Sequence, residues 1–350
     1  MSDSTTKTAA QVLADYDGPH LRIMEVCGTH THENFRLGIR KLLPPQVDLI
    51  SGPGCPVCVT PVGFIDEAIW LAEAGVTITT FGDLVRVPGT TKSLAGARAE
   101  GARVQVVYSP LDALEYARTH ADEQVCFLSV GFETTVPASC LAVEQARTEG
   151  VENFSLLVAN KTMPQAYAAL KGSADVFLYP GHVHAITGTQ LCEDLVAEGV
   201  SGVLAGFTAK ELITAMAVAV AKAQEGRPFF VNAYPRVVKP EGTPAAVALI
   251  ERVMEPCDAE WRGLGTIPGS GLALREDFAA FDARKKFGMP HIEGRANPGC
   301  CCGEVLRGDI TPHDCPLFGK VCSPLHPVGA CMVSGEGACS AYYQYGGELR

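Results

Sequence analysis

Cysteine is the residue type whose number and spacing most clearly indicate chemistry in this sequence. Seven of its 14 cysteines lie between residues 300 and 339. A 4Fe–4S cluster needs four thiolates, and the spacing in this tail favours Cys300, Cys315, Cys322 and Cys339 as the ligands. Spacing alone does not decide between Cys300 and Cys302 as the first ligand, or between Cys339 and Cys331 as the last. Structural zinc also takes four cysteines, but usually in close CxxC pairs, which the tail lacks.

A second thiol motif, CPVC, lies between two predicted elements. The apolar run before it predicts a strand, and the segment after it has apolar residues at the spacing of a helix. The two thiols of the motif are Cys55 and Cys58. A CxxC pair at the start of a helix is typical of a redox dithiol, because the helix N-terminus stabilises thiolate and lowers its pKa. The alternative is half of a zinc site, although the sequence has no second CxxC to complete it.

The third candidate site follows the first predicted strand, at Cys27. Gly28 directly after it lets the backbone approach a ligand closely. His30 and His32 supply imidazoles that could bind metal, shuttle protons or satisfy loop carbonyl groups. A lone cysteine at a strand end is often just a packed residue. The nearby glycine and histidines favour a functional role for Cys27.

Other polar residues give weaker signals. His182 and His184 suggest a metallohydrolase, but alternate positions of a strand face opposite ways, so both could bind one metal only if this stretch is a loop. The charged residues that stand out in loops after strands are Asp83, Arg86, Glu133 and Lys161. Four scattered cysteines, which we interpret as small buried hydrophobic residues, are Cys126, Cys140, Cys192 and Cys257.

Composition and charge restrict the class of protein. The net charge of -11 and the isoelectric point near 5.3 leave no sequence-wide basic field, so nucleic acid is not expected as a main partner. The N-terminal residues lack the basic and apolar segments of a signal peptide, and no run of about 18 apolar residues follows. We therefore predict a soluble, cytoplasmic protein with no membrane segment. In that reducing compartment, 14 cysteines indicate metal binding or thiol chemistry rather than disulfides.

Short apolar runs alternate with segments of helical spacing, which predicts parallel sheets covered by helices. The eight predicted strands are Leu21–Val26, Val47–Ile50, Val76–Thr80, Arg103–Tyr108, Val125–Val130, Phe154–Ala159, Val176–Tyr179 and Gly202–Ala205. Two groups of four predict an α/β fold with two similar doubly wound parallel-sheet domains, at 20–115 and 120–235. A third region, 236–350, should contain a helix at Pro244–Met254 and, after Gly299, loops around an iron–sulfur cluster. Most of the polar motifs follow strands, so we expect them to line one cleft between the domains.

Several motifs occur in an order that is far more specific than any one of them: MEVCGTHTH, GPGCPVC, FGDLVRVPGT, SVGFETT, PGHVHAITG and the cysteine-rich tail. From residue 20 to residue 346 the sequence resembles the HypD family of NiFe-hydrogenase maturation factors. The resemblance implies a scaffold that works with a small HypC-like chaperone, and on which a single iron acquires cyanide and carbon monoxide. Cyanide would come from a thiocyanate carried by a HypE-like protein, and the finished Fe(CN)2CO unit would pass to the hydrogenase large subunit.

For this sequence, the resemblance implies that Cys27 is the iron-holding thiolate, that Cys55 and Cys58 are a redox pair near it, and that four tail cysteines hold a 4Fe–4S cluster. The family arrangement is similar to ferredoxin:thioredoxin reductase, where a cluster passes electrons to a disulfide. We therefore predict Cys27, Cys55 and Cys58 at the iron site, with His30 as a further catalytic residue. The tail must then fold back near the first domain. The alternatives are a stand-alone thiol–disulfide oxidoreductase and a zinc-stabilised interaction module.

Overall fold

Two parallel β-sheets covered by helices form the body of the protein, which confirms the predicted α/β class. The structure is a computed structural model and describes residues 7–346. All eight predicted strands are present at or close to their expected positions. The strands are β1 (Leu21–Glu25), β2 (Val47–Ser51), β3 (Thr77–Thr80), β4 (Val104–Val106), β5 (Val125–Ser129), β6 (Phe154–Val158), β7 (Val176–Pro180), β8 (Gly202–Ala205), β9 (Phe230–Asn232), β10 (Met254–Trp261) and β11 (Gly265–Leu274).

Helices connect most of the strands and cover the sheets. They are α1 (Ala9–Ala14), α2 (Gly28–Arg36), α3 (Pro56–Val59), α4 (Val62–Glu73), α5 (Leu94–Ala99), α6 (Pro110–Thr119), α7 (Val136–Glu149), α8 (Met163–Ala169), α9 (Gly181–Thr187), α10 (Gln190–Ala197), α11 (Ala209–Ala223), α12 (Pro244–Val253), α13 (Ala283–Lys286), α14 (Cys302–Arg307), α15 (Ala330–Val333) and α16 (Ala338–Tyr345). None of the helices within residues 7–346 is long and apolar enough to cross a membrane.

The strands are not grouped in chain order, and this corrects the predicted grouping. Sheet A has the order β2-β1-β7-β8-β9, and sheet B has the order β4-β3-β5-β6. Because β1 pairs with β7 as well as with β2, the segments 20–115 and 120–235 each contribute strands to both sheets. A run of apolar residues indicates that a strand is buried, but it does not indicate which strand lies beside it.

Burial on both faces explains why the strands could be predicted. All five residues of β5 and all five of β7, which are central strands of the two sheets, are buried, as expected for parallel strands with helices on both sides. At the edge of sheet A, by contrast, β2 alternates between buried and exposed residues. Central strands therefore appear in the sequence as continuous apolar runs.

The C-terminal region is more regular than expected. The predicted helix is present as α12, but it leads into an antiparallel hairpin, β10–β11, that the sequence analysis missed. After Gly299 the chain forms the short helices α14 to α16 as well as loops. This tail folds back against both sheets, as predicted. The Thr29 hydroxyl donates to Glu336 Oε1 at 2.6 Å, and the Ser334 hydroxyl donates to Asp83 Oδ2 at 2.8 Å.

Candidate functional site

The CPVC motif forms the short helix α3, just after β2. Cys55 precedes the helix and Pro56 occupies its first position, where the missing N–H costs no hydrogen bond. The backbone N–H of Cys58 donates to the Cys55 sulfur at 3.3 Å, an arrangement that stabilises a thiolate. Both cysteines are buried. The pair therefore lies at a helix start, as predicted.

A tail thiol that the sequence suggests only as an alternative ligand lies against this pair. Cys331 is fully buried in α15, and its sulfur is in hydrogen-bonding contact with the thiols of Cys302, Cys339 and Cys58. Because these neighbours donate to its sulfur, the pKa of Cys331 lies well below its usual value. Burial raises the pKa of Cys58 well above its usual value. Cys331 therefore joins the CPVC pair to the thiols of Cys302 and Cys339.

A small cavity next to Cys331 is surrounded by tail cysteines. The cysteines that line it are Cys300, Cys301, Cys302, Cys315, Cys322 and Cys339. The structure thus brings together all four predicted cluster ligands, and their role as ligands stays a prediction. The other lining residues in the described chain are Gly329 and apolar side chains, so no carboxylate or imidazole faces the cavity. The enclosed volume is only about 20 Å³, and thiols contact one another around it.

Cys27 lies between the end of β1 and the first turn of α2. The backbone N–H groups of His30 and Thr29 donate to its sulfur, but burial has the larger effect and raises the pKa of Cys27 to about 12. The backbone N–H of Gly28 donates to the carbonyl oxygen of Gly54 at 2.9 Å. A Cβ atom on Gly54 would lie 2.2 Å from the Cys27 nitrogen. The Cys27 loop and the loop before CPVC are therefore in direct backbone contact.

Gly28 has a different role from the one that the sequence suggests. A Cβ atom at this position would lie 2.6 Å from the Cβ of Glu336, so the glycine admits the tail rather than leaving room for a ligand. The carboxylate of Glu336 accepts a hydrogen bond from Thr29 and also raises the pKa of Cys27, although less than burial does. The tail thus places a carboxylate beside the Cys27 thiol.

The histidines fall into two separate environments. His30 is fully buried; its Nε2 lies 3.0 Å from the Gly206 carbonyl oxygen, whereas no residue within 7–346 is a hydrogen-bond partner for its Nδ1. Burial lowers the pKa of His30 to about 4, so the ring is neutral at pH 7. His182 stacks on Phe207 with ring centroids 3.9 Å apart, and Phe207 also contacts His30 at 4.8 Å. His30 and His182 therefore both contact one phenyl ring, near the Cys27 loop.

Residues 182–184 form neither a strand nor a loop but part of helix α9. His184 points away from His182 into the core. Its Nε2 lies 3.3 Å from the Tyr167 hydroxyl and 3.4 Å from the Cys192 sulfur. The two histidines do not face one metal. More generally, in the part of the chain that the structure describes, no three or more Cys, His, Asp or Glu side chains are already arranged as a site for a single metal ion. Joint iron binding by Cys27, Cys55 and Cys58 stays a prediction.

Comparison with known protein families decides the assignment. The family model HypD, described as "Hydrogenase formation hypA family", matches residues 4–346. The chain belongs to the HypD family of hydrogenase maturation factors. It is 44% identical to the hydrogenase maturation factor HypD of Azotobacter vinelandii and to that of Rhodobacter capsulatus, in each case over 97% of this chain and 93% of the relative. The Escherichia coli HypD is 42% identical over 93% of this chain and 89% of its own length.

In this HypD-family chain, a buried ion pair that the sequence analysis missed holds the Cys27 loop in place. Glu25, the last residue of β1, is completely buried, and its Oε2 accepts from Arg40 at 2.6 Å and from the hydroxyl groups of Ser51 and Thr31. Its Oε1 accepts from Asn34 at 2.6 Å. These partners come from β2, α2 and the segment after α2. The one available signal was a carboxylate at the end of a mostly apolar strand.

The remaining charged candidates have distinct surroundings. Glu133 is buried, its Oε1 accepts from the Met163 backbone N–H at 2.9 Å, and burial raises its pKa to about 7. Arg86 donates to the Pro324 carbonyl oxygen at 2.9 Å, which fixes part of the tail on sheet B. Three of the four scattered cysteines are buried as predicted, while Cys257 is half-buried and lines a separate cavity together with Lys161.

Proposed function

We propose that this chain is a scaffold on which one iron atom acquires cyanide and carbon monoxide to form Fe(CN)2CO. Iron is the cargo of this reaction rather than a resident cofactor. The observation that best supports the role is the series of thiol contacts from Cys58 through Cys331 to Cys302 and Cys339. It adjoins the loop that contains Cys27, so electrons would have a short path towards the iron.

We also propose that Cys300, Cys315, Cys322 and Cys339 hold a 4Fe–4S cluster. The donor set fits such a group, because thiols and apolar side chains surround the cavity and thiolate is the usual ligand. A cluster would replace the thiol contacts around the cavity and would supply electrons. Cys302 and Cys331 would then be free thiols between the ligands and Cys58.

Cys55 and Cys58 would cycle between two thiols and a disulfide. Oxidation of the thiols to a disulfide releases two electrons and two protons. The two electrons and one of the protons convert a thiocyanate R–S–CN into the thiol R–SH and cyanide, and the second proton is released. Two electrons arriving through Cys331 and two protons would then restore the thiols. The contact between the Cys58 and Cys331 thiols supports this route.

Iron would bind Cys27 in place of its proton. Burial raises the pKa of Cys27 to about 12, so its thiolate is scarce at neutral pH unless a cation binds it. The N–H groups of Thr29 and His30 already donate to the sulfur and would stabilise the negative charge. With its Nε2 near a carbonyl oxygen, His30 would keep Nδ1 as an acceptor for a hydrogen bond from an incoming group.

The partners that we propose are a HypC-like chaperone, a HypE-like cyanide donor and, indirectly, the hydrogenase large subunit. The support is membership of a family of hydrogenase maturation factors. We place the protein in the cytoplasm, where a reducing environment keeps such thiols free.

A complementation experiment tests the proposal. Cys27→Ala, Cys55→Ser and Cys58→Ser are each expressed in a strain that lacks its own HypD, and hydrogenase activity is measured. Cys140→Ala is the matched control, because Cys140 is equally buried but lies in α7 under sheet B. We expect activity with the control and none with the three variants. Full activity with Cys27→Ala would contradict the scaffold role.

A second candidate function is a thiol–disulfide oxidoreductase fed by an iron–sulfur cluster. The position of Cys55 and Cys58 at the start of α3 favours it. In that case Cys27→Ala would keep full activity, while both CPVC variants would lose it. The same experiment therefore separates the two functions.

A further inference from the structure

A second cavity, of about 280 Å³, lies away from the thiols of the tail. It is bounded by the start of α4, the end of β6, the hairpin β10–β11 and the segment around α13. Small-molecule sites in proteins usually start at about 300 Å³, so this space suits a ligand of a few heavy atoms. It adjoins the carboxyl end of a parallel strand, where ligands of α/β proteins commonly bind.

Lys161 is the unusual residue of this cavity, because its charged side chain is almost completely buried. The residue is only 3% exposed. Within residues 7–346 its Nζ has no hydrogen bond or ion pair, and it lies 5.7 Å from the centroid of the Trp261 ring. The ammonium group faces the cavity, and taking such a group largely out of bulk water without a partner is unfavourable. The cavity therefore favours an anionic ligand that pairs with the Lys161 ammonium group.

The other charges around Lys161 restrict what that anion can be. Arg284 is already occupied, because its guanidinium donates to Glu67 at 2.7 Å and to the Val158 carbonyl oxygen. One cation therefore remains for the ligand. The carboxylates of Asp258 and Glu260 line the open side and would repel a multiply charged anion.

The rest of the lining is largely apolar, including the side chains of Phe64, Ala259 and Leu272. We propose that this cavity is a binding site for a small monocarboxylate, whose carboxylate pairs with Lys161 and whose carbon atoms contact the apolar wall. The site is separate from the thiol centre and does not depend on the function proposed above.

The charge state of Lys161 provides a test by pH. Burial lowers its pKa to about 8, while Glu260 and Cys257 raise it slightly and Arg284 lowers it. The other titratable groups that line the cavity are Glu67, Asp258, Asp282 and His291. If the ammonium form binds the carboxylate, affinity should fall roughly tenfold between pH 7 and pH 9, because the protonated fraction falls by that factor.

The experiment is calorimetric titration of the anaerobically purified protein with sodium acetate at pH 7 and pH 9. We expect one saturable site in the wild type, at least tenfold weaker binding in Lys161→Met, and binding without the pH dependence in Lys161→Arg. Lys210→Met, at an exposed position of α11, is the control and should bind as the wild type does.

Three results would overturn the proposal. They are the absence of saturable acetate binding to the wild type, equal affinity in Lys161→Met, and affinity that does not change between pH 7 and pH 9. Tighter binding of inorganic phosphate than of acetate would overturn the assignment to a monocarboxylate. Because the wild-type pH series needs no variant, the test stands even if Lys161→Met fails to fold.

Discussion

Replacing Arg40 should destabilise the protein far more than replacing an exposed arginine. Arg40 pairs at 2.6 Å with the completely buried Glu25, and its own side chain is only 10% exposed. Arg40→Met leaves that carboxylate in the core with neutral donors only. Breaking a buried pair by removing one partner costs about 3–5 kcal/mol. The matched control is Arg252→Met, because Arg252 pairs with Glu144 at 2.5 Å but is 56% exposed, and such pairs contribute about 1 kcal/mol or less.

The assay is urea unfolding followed by circular dichroism, with the free energy of unfolding measured for the wild type, Arg40→Met, Glu25→Gln and the double variant. The double variant should recover part of the loss seen in Arg40→Met, since no charge then remains buried. If Arg40→Met costs no more than Arg252→Met, the reasoning about the buried pair is wrong.

Three further predictions follow from the structure. Gly54→Ala should lower stability and disturb the Cys27 loop, because the added Cβ would lie 2.2 Å from the backbone nitrogen of Cys27. Gly82→Ala should be tolerated, because the nearest atom to its added Cβ is 3.8 Å away. Thermal unfolding of both variants measures the difference. Since burial raises the pKa of Glu133 to about 7 from an ordinary 4.5, the folded state holds a proton that the unfolded state has lost. Stability should therefore fall by about 3 kcal/mol as pH rises from 4.5 to 7, and in Glu133→Gln that fall should be absent from urea titrations at a series of pH values. Cys331→Ala should leave metal content unchanged but slow the reduction of a Cys55–Cys58 disulfide, as measured by thiol trapping; equal rates in variant and wild type would contradict the proposed electron path.

The strands could be predicted from the sequence, but their order could not. Runs such as those of β5 and β7 are mostly apolar because helices cover both faces of the sheet. The pairing of β1 with β7 depends on contacts between distant parts of the chain, which no local pattern encodes. The hairpin β10–β11 was missed because Pro256 and Pro268 lie inside its strands, and proline usually argues against a strand. Both strands of a two-stranded ribbon are edge strands, which is where proline is tolerated.

The thiols of the candidate site could be found because cysteine is chemically distinctive wherever it occurs. Their arrangement could not be found, since Cys58 and Cys331 lie far apart in the sequence and meet only when the tail folds back. The same limit applies to Glu25, whose partners are spread over three segments. The sequence shows Lys161 as a charged residue after a strand. Only the folded structure, within residues 7–346, shows that its ammonium group has no partner.

The most direct test of the scaffold role is infrared spectroscopy of the protein purified without oxygen together with the proposed HypC-like chaperone. Cyanide and carbon monoxide bound to iron absorb in a spectral region where proteins have almost no bands. We expect bands of both ligands, with stoichiometric iron, in the wild type and in Cys140→Ala. They should be absent from Cys27→Ala, although that variant should keep the iron of the proposed tail cluster. Undiminished bands in Cys27→Ala, or no bands from a wild-type complex that supports hydrogenase maturation, would contradict the claim that iron is assembled on this thiol.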